Sequence, residues 1–227
     1  MKIQNFVFNW NQYTDNAIKH ENNLTKFGKT IVINSNVNFK KSHWINLNDA
    51  YFSEQWNTLI SNIDSDTDYI FHVQADAIID DYDKLYSQFL KTTSKYDIGI
   101  YTTNIDYTWH KYNKNALNRL EENLYEIPNT DCTCWIINTQ IMSKNPLYNL
   151  KTNRLGHGGD WYYSAKSKLA NKRVIRDYSI LINHPFHRNY DTNEAGDSLF
   201  VWLKEQSLEI KQTIEELMTF HSNVRID

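Results

Sequence analysis

The first hundred residues alternate between strand-like and helix-like segments, and this alternation limits the fold more than any other feature of the sequence. Segments rich in apolar and β-branched residues are typical of strands. They cover residues 3–8, 30–33, 69–73 and 97–102. The amphipathic, helix-like segments between them cover residues 14–26, 49–63 and 80–91. Because each connection is long enough for a crossover helix, the pattern predicts an α/β fold with a mostly parallel central sheet flanked by helices.

The pattern changes after residue 102. Further strands are predicted at 133–138 and 174–182, and a helix is predicted at 160–170. The amphipathic segment 199–220 predicts one or two terminal helices. The sequence has no repeats and no linker rich in Pro, Gly or Ser, so we expect one compact domain. Its predicted parts are residues 1–195 and a helical extension at 196–227 that packs on it.

The polar segment 106–126 interrupts the alternation and is open to two interpretations. Long insertions in compact domains are usually functional or disordered, so the segment could close over a bound substrate as a lid, with Trp109 beside the acceptor. The alternative is a fixed surface helix, formed around the weakly amphipathic stretch 109–123, that packs Leu117, Leu120 and Leu124 on the core.

Composition excludes several classes of protein. The 227 residues carry a net charge of -3, which gives no overall attraction to nucleic acid or to anionic lipid. Two cysteines, Cys132 and Cys134, rule out a disulfide framework and favour a reducing compartment. No apolar run approaches the roughly 20 residues of a membrane span, and the amino-terminal segment is typical of a strand rather than a signal peptide. We therefore expect a soluble, cytoplasmic protein.

Polar residues follow three of the predicted strands. They are Asn9-Trp10-Asn11, Asn34-Ser35-Asn36 and Gln74-Ala75-Asp76. Ligands of open parallel sheets bind at the carboxyl ends of strands, so these residues are expected to form the binding crevice. A carboxylate in the position of Asp76 is a good ligand for a hard divalent cation that also holds phosphates. An ordinary polar strand end is the alternative interpretation of the same residue.

A glycine-rich turn, Gly156-His157-Gly158-Gly159-Asp160, opens the helix predicted at 160–170. Asp160 could cap this helix, or its carboxylate could point into the crevice as a general base. The turn lacks the Gly-Lys-Ser/Thr of a P-loop, which disfavours nucleotide hydrolysis.

Two histidines, His184 and His187, follow the strand predicted at 174–182. Histidines three residues apart in an extended segment point in different directions, and no further ligands lie nearby, so a self-contained zinc site is disfavoured. One of the two as a ligand shared with Asp76 fits the sequence better. Among the tryptophans, Trp109 and Trp161 are candidates for stacking on a sugar.

Taken in order, these motifs resemble the GT-A fold glycosyltransferases, and specifically the large inverting family 2. That family opens with a strand ending in a polar pair, carries an Asp-x-Asp metal motif after a later strand, and then shows a glycine-rich segment leading to an acidic residue. Here only the last carboxylate of the metal motif is present, and Gly159 stands where Glu is common. The matching segments are Phe8-Asn9-Trp10-Asn11, Asn34-Ser35-Asn36, Asn57, Gln74-Ala75-Asp76, Gly156-His157-Gly158-Gly159-Asp160-Trp161 and His184-Pro185, with Tyr190 after them.

The resemblance implies a metal-dependent inverting glycosyltransferase that moves a sugar from a nucleotide-sugar, most simply a UDP-sugar, to an acceptor hydroxyl. It implies that Asp160 is the catalytic base and that Asp76 and His184 hold Mn2+ or Mg2+. The residues that it assigns to the donor nucleotide are Asn9, Trp10, Asn11, Asn34, Asn57, Gln74 and Ala75. The residues that it assigns to the acceptor or the sugar are Trp109, Gly158, Gly159 and Trp161.

Two other functions stay open at this point. A non-catalytic protein that binds a nucleotide-sugar or carbohydrate would fit the reduced metal motif. A nucleotidyltransferase would share the alternating architecture, but residues 9–15 contain none of the Gly, Lys or Arg expected of a triphosphate loop. The acceptor could be a glycan, a lipid-linked sugar, a protein side chain or a nucleic acid, and the acidic net charge disfavours the last.

Overall fold

The computed structural model describes residues 1–105, 116–185 and 191–223, which form a mixed sheet with helices on both faces. The strands are β1 (Ile3–Asn9), β2 (Lys29–Asn34), β3 (Ile45–Asn46), β4 (Tyr69–Gln74), β5 (Ile98–Ile105), β6 (Asn118–Arg119), β7 (Leu124–Glu126), β8 (Cys134–Asn138) and β9 (Arg173–Ile182). The α-helices are α1 (Thr14–Leu24), α2 (Phe52–Ile60), α3 (Tyr82–Thr93), α4 (Gly159–Leu169), α5 (Thr192–Lys204) and α6 (Leu208–Asn223). Short 3-10 helices cover Asn11–Tyr13 and Thr139–Ile141.

The nine strands form one sheet in the order β3-β2-β1-β4-β8-β5-β9-β7-β6. The pairings β1–β2, β1–β4, β2–β3 and β5–β9 are parallel. The pairings β4–β8, β5–β8, β6–β7 and β7–β9 are antiparallel. The α/β prediction is therefore confirmed, but the expectation of a mostly parallel sheet is wrong, because β8 enters between β4 and β5 in the opposite direction.

The side chains of the central strands alternate between two apolar layers. Val7 of β1 faces a layer that includes Leu24 of α1 and Phe89 of α3. Phe6 and Phe8 face the other layer, where Trp56 of α2 and Tyr163 of α4 are buried. All seven residues of β1 are buried, as expected of a central strand covered on both faces.

The described region from 116 to 126 is a hairpin of β6 and β7 rather than the surface helix of the packing alternative. Leu124 is buried and Leu120 packs against the core from the edge of the sheet, as the packing alternative expected of these leucines. β7 extends the sheet by pairing with β9, with Leu124 opposite Asp177. Residues 106–115, which hold Trp109 and the first part of the predicted lid, lie outside the described residues.

The terminal segment forms two helices, and both pack on the α/β body. Trp202 of α5 is fully buried against the layer of α2 and α4. Ile214 of α6 packs with Ala165 of α4. The expected boundary between residues 195 and 196 falls inside α5. Within the described ranges, no helix combines the length and apolar character needed to cross a membrane.

Candidate active site

The candidate site lies at the sheet edge where β1, β2 and β4 end and β8 begins. Because β8 runs antiparallel to β4, Cys134 at its start aligns with Val73 near the end of β4. The segment 130–133 before β8 therefore lies beside the residues that follow β4. Gln74 joins the two, since its backbone N–H donates to Thr133 O at 2.9 Å and its Nε2 donates to Cys132 O at 3.1 Å.

The asparagines predicted to bind the nucleotide form a hydrogen-bonded network beneath this edge. Asn9 Nδ2 donates to Asn34 Oδ1 at 2.7 Å, and both residues are fully buried. Asn34 Nδ2 in turn donates to Phe39 O at 2.7 Å and to Asn46 Oδ1 at 2.9 Å. Asn34 thus holds the loop that follows β2. Of the residues after β1 that are predicted to bind donor, Trp10 is partly exposed and Asn11 is exposed.

Asp76 follows β4 in a turn that crosses toward the end of β9. Within this turn Ala77 N–H donates to Gln74 O at 3.0 Å. Ile78 and Asn183 then form an antiparallel bridge, with Ile78 N–H donating to Asn183 O at 2.7 Å. The bridge brings the residue after Asn183 to the carboxylate, so that Asp76 Oδ1 lies 3.2 Å from His184 Nε2.

The Asp76–His184 pair suits a divalent cation in its donor chemistry. Asp76 Oδ1 is buried and accepts no hydrogen bond from the described part of the chain. A carboxylate oxygen and an imidazole nitrogen are both ligands of Mn2+ and related ions. Within residues 1–105, 116–185 and 191–223, no group of three or more His, Cys, Asp or Glu side chains is arranged to hold a metal ion. The described residues therefore supply two ligands, and donor phosphates would have to supply others.

Asp160 lies in the first turn of α4 and is not its cap. The N-cap is Gly158, and Asp160 follows two residues later. The side chain is partly buried. Burial raises the pKa of Asp160 to about 7, the negative charge of Asp131 adds to this effect, and the backbone N–H of Trp161 opposes it. Carboxyl groups with a pKa near working pH are suited to general acid–base catalysis.

The glycines before Asp160 are required by backbone geometry and packing. Gly158 has a φ of 91°, a conformation that side chains other than glycine rarely adopt. A Cβ atom on Gly158 would clash with Leu199 of α5, and one on Gly159 would clash with the Tyr148 hydroxyl. Tyr148 Oη also donates to Gly156 O at 2.8 Å. This packing fixes the start of α4 and with it the position of Asp160.

Asp131 and Arg176 are site residues that the sequence prediction missed. Arg176 of β9 is 1% exposed, and its Nη2 lies 2.8 Å from Thr130 Oγ1 and 3.5 Å from Asp131 Oδ2. Asp131 Oδ1 accepts the backbone N–H of Thr133 at 3.0 Å. The sequence offers little signal for either residue, because the strand predicted at 174–182 also carries other polar residues and does not identify a partner for Arg176.

Four residues that the sequence analysis considered for the site have other contacts or are not described. Asn57 holds the main chain of Tyr148, with Nδ2 donating to its O at 2.8 Å and Oδ1 accepting its N–H at 3.0 Å. Asn57 also lines an open groove of about 480 Å3 along α2, together with Leu150. Trp161 packs against the apolar cluster that α4 forms with α6. Trp109 lies outside the described residues, as does His187.

Comparison with solved structures identifies the fold. The structure of GalNAc-T7 with UDP, GalNAc and Mn2+ matches 100% of this chain and 55% of that chain, with a TM-score of 0.62 and 9% identity. S. aureus TarS 1-349 in complex with UDP-GlcNAc matches 98% of this chain and 73% of that chain, with a TM-score of 0.61 and 11% identity. The same TarS form with UDP gives a TM-score of 0.62 at 12% identity, over 98% of this chain and 72% of that chain.

The sequence itself matches no family model and no curated protein. At identities this low, the structural likeness establishes the fold and nothing finer. The chain has the GT-A fold of these glycosyltransferases, and the predicted fold is thereby confirmed.

Proposed function

We propose that this protein is a metal-dependent inverting glycosyltransferase that uses a UDP-sugar. One observation carries the proposal: the buried Asp76 carboxylate oxygen beside His184 and the Asp160 carboxyl group, whose pKa is raised, occur at the same edge of the sheet. The binding of UDP or UDP-GlcNAc by solved neighbours of the same fold supports the choice of donor.

Asp76 and His184 are the residues that would hold Mn2+ or Mg2+. When bound, the ion neutralises negative charge on the diphosphate leaving group. The bridge between Ile78 and Asn183 fixes the two ligands relative to each other, so the chain itself provides a preformed pair. Trp10, Asn11 and Gln74 reach the surface at this edge and are the predicted donor residues best placed to touch the nucleotide.

Asp160 acts as the general base. Its carboxylate accepts the proton of the acceptor hydroxyl while that oxygen forms a bond to the anomeric carbon. The bond between the anomeric carbon and the phosphate oxygen breaks in the same displacement, which inverts the anomeric centre. Because the pKa of Asp160 is raised to about 7, the carboxylate is a stronger base than an ordinary aspartate, yet a large fraction stays ionised at neutral pH.

The acceptor lies on the α4 side of the edge, beside Asp160, and Trp109 and Trp161 are the aromatic residues proposed for that side. The packing of Trp161 on α6 makes Trp109 the better candidate for direct contact. A hydroxyl on a glycan or on a protein side chain fits the acidic net charge better than a nucleic acid does.

A transfer assay with a panel of UDP-sugars, Mn2+ and candidate hydroxyl acceptors tests the proposal. We expect Mn2+-dependent release of UDP, and we expect Asp160→Asn to lower the rate by about 10²–10⁴-fold while UDP and Mn2+ still bind. Donor binding without turnover in the wild type would instead favour a non-catalytic nucleotide-sugar-binding protein. Absence of both binding and turnover would contradict both functions.

A further inference from the structure

Two buried side chains from different helices hold the turn of residues 74–79, here named the metal turn. His20 of α1 is 2% exposed, and its Nε2 lies 3.0 Å from the carbonyl oxygen of Ala77. Tyr82, in the first turn of α3, is 8% exposed, and its hydroxyl lies 2.8 Å from Nδ1 of His20. A chain of two hydrogen bonds therefore runs from α3 through α1 to the backbone next to Asp76.

The direction of both hydrogen bonds follows from the chemistry of the groups. The carbonyl of Ala77 can only accept, so Nε2 of His20 must carry the proton. Burial lowers the pKa of His20 to about 4, so its ring is neutral at neutral pH and Nδ1 is an acceptor. The Tyr82 hydroxyl is then the donor to Nδ1, and burial raises the pKa of Tyr82, which keeps it protonated.

These bonds fix both polar backbone groups of Ala77. Its N–H donates to Gln74 O at 3.0 Å, and its carbonyl accepts from His20. The next residue, Ile78, is held by the bridge to Asn183. The peptide groups that flank Ala77 cannot rotate without breaking one of these bonds, and Asp76 lies directly before them.

We propose that His20 and Tyr82 are positioning residues that hold the carboxylate of Asp76 in place to bind the divalent cation. The proposal rests on the proposed function, since it assigns Asp76 to the cation. His20 reaches no reacting atom and acts through the backbone of Ala77. Tyr82 acts one step further away, by fixing which nitrogen of His20 carries the proton.

The test compares variants that differ in one hydrogen bond. His20→Leu removes the donor to Ala77, whereas His20→Gln keeps an amide N–H at a similar reach. Tyr82→Phe keeps the ring packing and removes only the hydroxyl. Leu24→Ala is the matched control, because Leu24 is fully buried at the end of the same helix and its apolar side chain makes no hydrogen bond, so the change removes packing only.

Mn2+ binding is measured by calorimetry at saturating UDP, and UDP binding is measured separately with EDTA. We expect His20→Leu to weaken Mn2+ binding by at least about 10-fold, His20→Gln to stay within about 3-fold of wild type, and Tyr82→Phe to fall between them. UDP binding in EDTA and the Mn2+ affinity of Leu24→Ala should stay at the wild-type level. Equal loss in His20→Leu and Leu24→Ala would overturn the proposal, as would unchanged Mn2+ binding in His20→Leu.

Two measurements that need no metal separate this inference from the proposed function. A nitrogen-15 spectrum of the wild-type histidines should show His20 protonated at Nε2. Protonation at Nδ1 would overturn the proposed positioning role of His20 even if the protein binds Mn2+. Hydrogen exchange of the Ala77 amide should be faster in His20→Leu than in Leu24→Ala. A wild-type protein could show the expected His20 protonation and Ala77 amide exchange and yet bind no Mn2+ in the presence of UDP. That result would contradict the proposed function, and with it the role of His20 and Tyr82 in metal binding.

Discussion

The carboxylate of Asp131 lies 3.5 Å from the guanidinium of Arg176, so a buried cation balances one of two carboxylates that interact electrostatically, Asp131 before β8 and Asp160 in α4. The second carboxylate, Asp160, has no such partner among the ion pairs of the described residues. Buried charges are costly unless they are paired. Because Asp160 is buried without such a cation, its surroundings raise its pKa.

The pH dependence of catalysis should follow Asp160. Only the carboxylate form accepts a proton, so kcat/KM should rise with pH through about 7, the pKa of Asp160. Asp131→Asn removes a negative charge that raises this pKa, so the rising limb should move to lower pH. Cys132 and Tyr148 are the other titratable groups coupled to Asp160, and burial raises the pKa of both, so they stay neutral there.

Asp97→Asn is the control for this pH profile. Asp97 pairs with Lys172 on the surface, where its side chain is 66% exposed. Its loss should leave the rising limb in place. An unmoved limb in Asp131→Asn, or an equal shift in both variants, would argue against coupling between Asp131 and the base.

Asp160 should reduce stability at neutral and alkaline pH. Its folded pKa of about 7 is above the ordinary value of 3.8, so the folded state holds a proton that the unfolded state releases. This contribution to stability is complete below pH 3.8 and is lost as pH rises to about 7. Asp160→Asn avoids the loss, so its Tm at pH 8 should exceed that of the wild type by at least about 2–4 °C.

Thermal melts at pH 5 and pH 8 in EDTA measure this effect. The difference in Tm between Asp160→Asn and wild type should be larger at pH 8 than at pH 5. A variant less stable than wild type at pH 8 would show that the ionised carboxylate makes favourable contacts.

Asp76→Ala should weaken Mn2+-dependent binding of UDP by at least about 10- to 100-fold, the loss typical of residues that only support a metal ligand. Asp80→Ala is the matched control, since Asp80 is exposed four residues later. Tm without metal should change little in either variant. Titration of Mn2+ at fixed UDP measures the effect, and equal affinities for the two variants would remove Asp76 from the metal site.

Gly158→Ala should destabilise the fold by about 1–3 kcal/mol, because the new methyl group would meet Leu199 at a positive φ of 91°. Gly196→Ala provides the opposite case. Gly196 lies inside α5 with no atom within 4 Å of the position of a Cβ, so alanine should stabilise the helix by up to about 1 kcal/mol. Urea unfolding of the two variants measures both changes. Equal effects would contradict the packing described for the turn.

The local pattern of the sequence predicted strands and helices whose apolar positions repeat regularly. β1, β2, β4 and α1 fall within a few residues of their predicted bounds, since each buries a regular face. β6 is two exposed residues, Asn118 and Arg119, and carries no apolar signal. The direction of β8 was not predictable, because a buried strand has the same composition whether it runs parallel or antiparallel.

Candidate site residues were predictable where they come directly after a strand in the sequence. Asp76 and His184 were paired from their positions after two strands, and the structure brings them to 3.2 Å. Asp131 was missed because it precedes its strand, and the rule used for parallel sheets considers only carboxyl ends. His20 was missed because its role depends on a contact with Ala77, distant in sequence.

The place of β8 between β4 and β5 also sets the order in which the chain can fold as it is synthesised. β4 and β5 are successive strands, yet each pairs with β8 and not with the other. Until β8, which ends at Asn138, has left the ribosome, β5 cannot be joined to the sheet that β1 to β4 form. Contacts between distant parts of a chain form slowly and leave strand edges exposed meanwhile. The nascent chain therefore carries two open edges of its central sheet through the synthesis of the whole segment from 106 to 133.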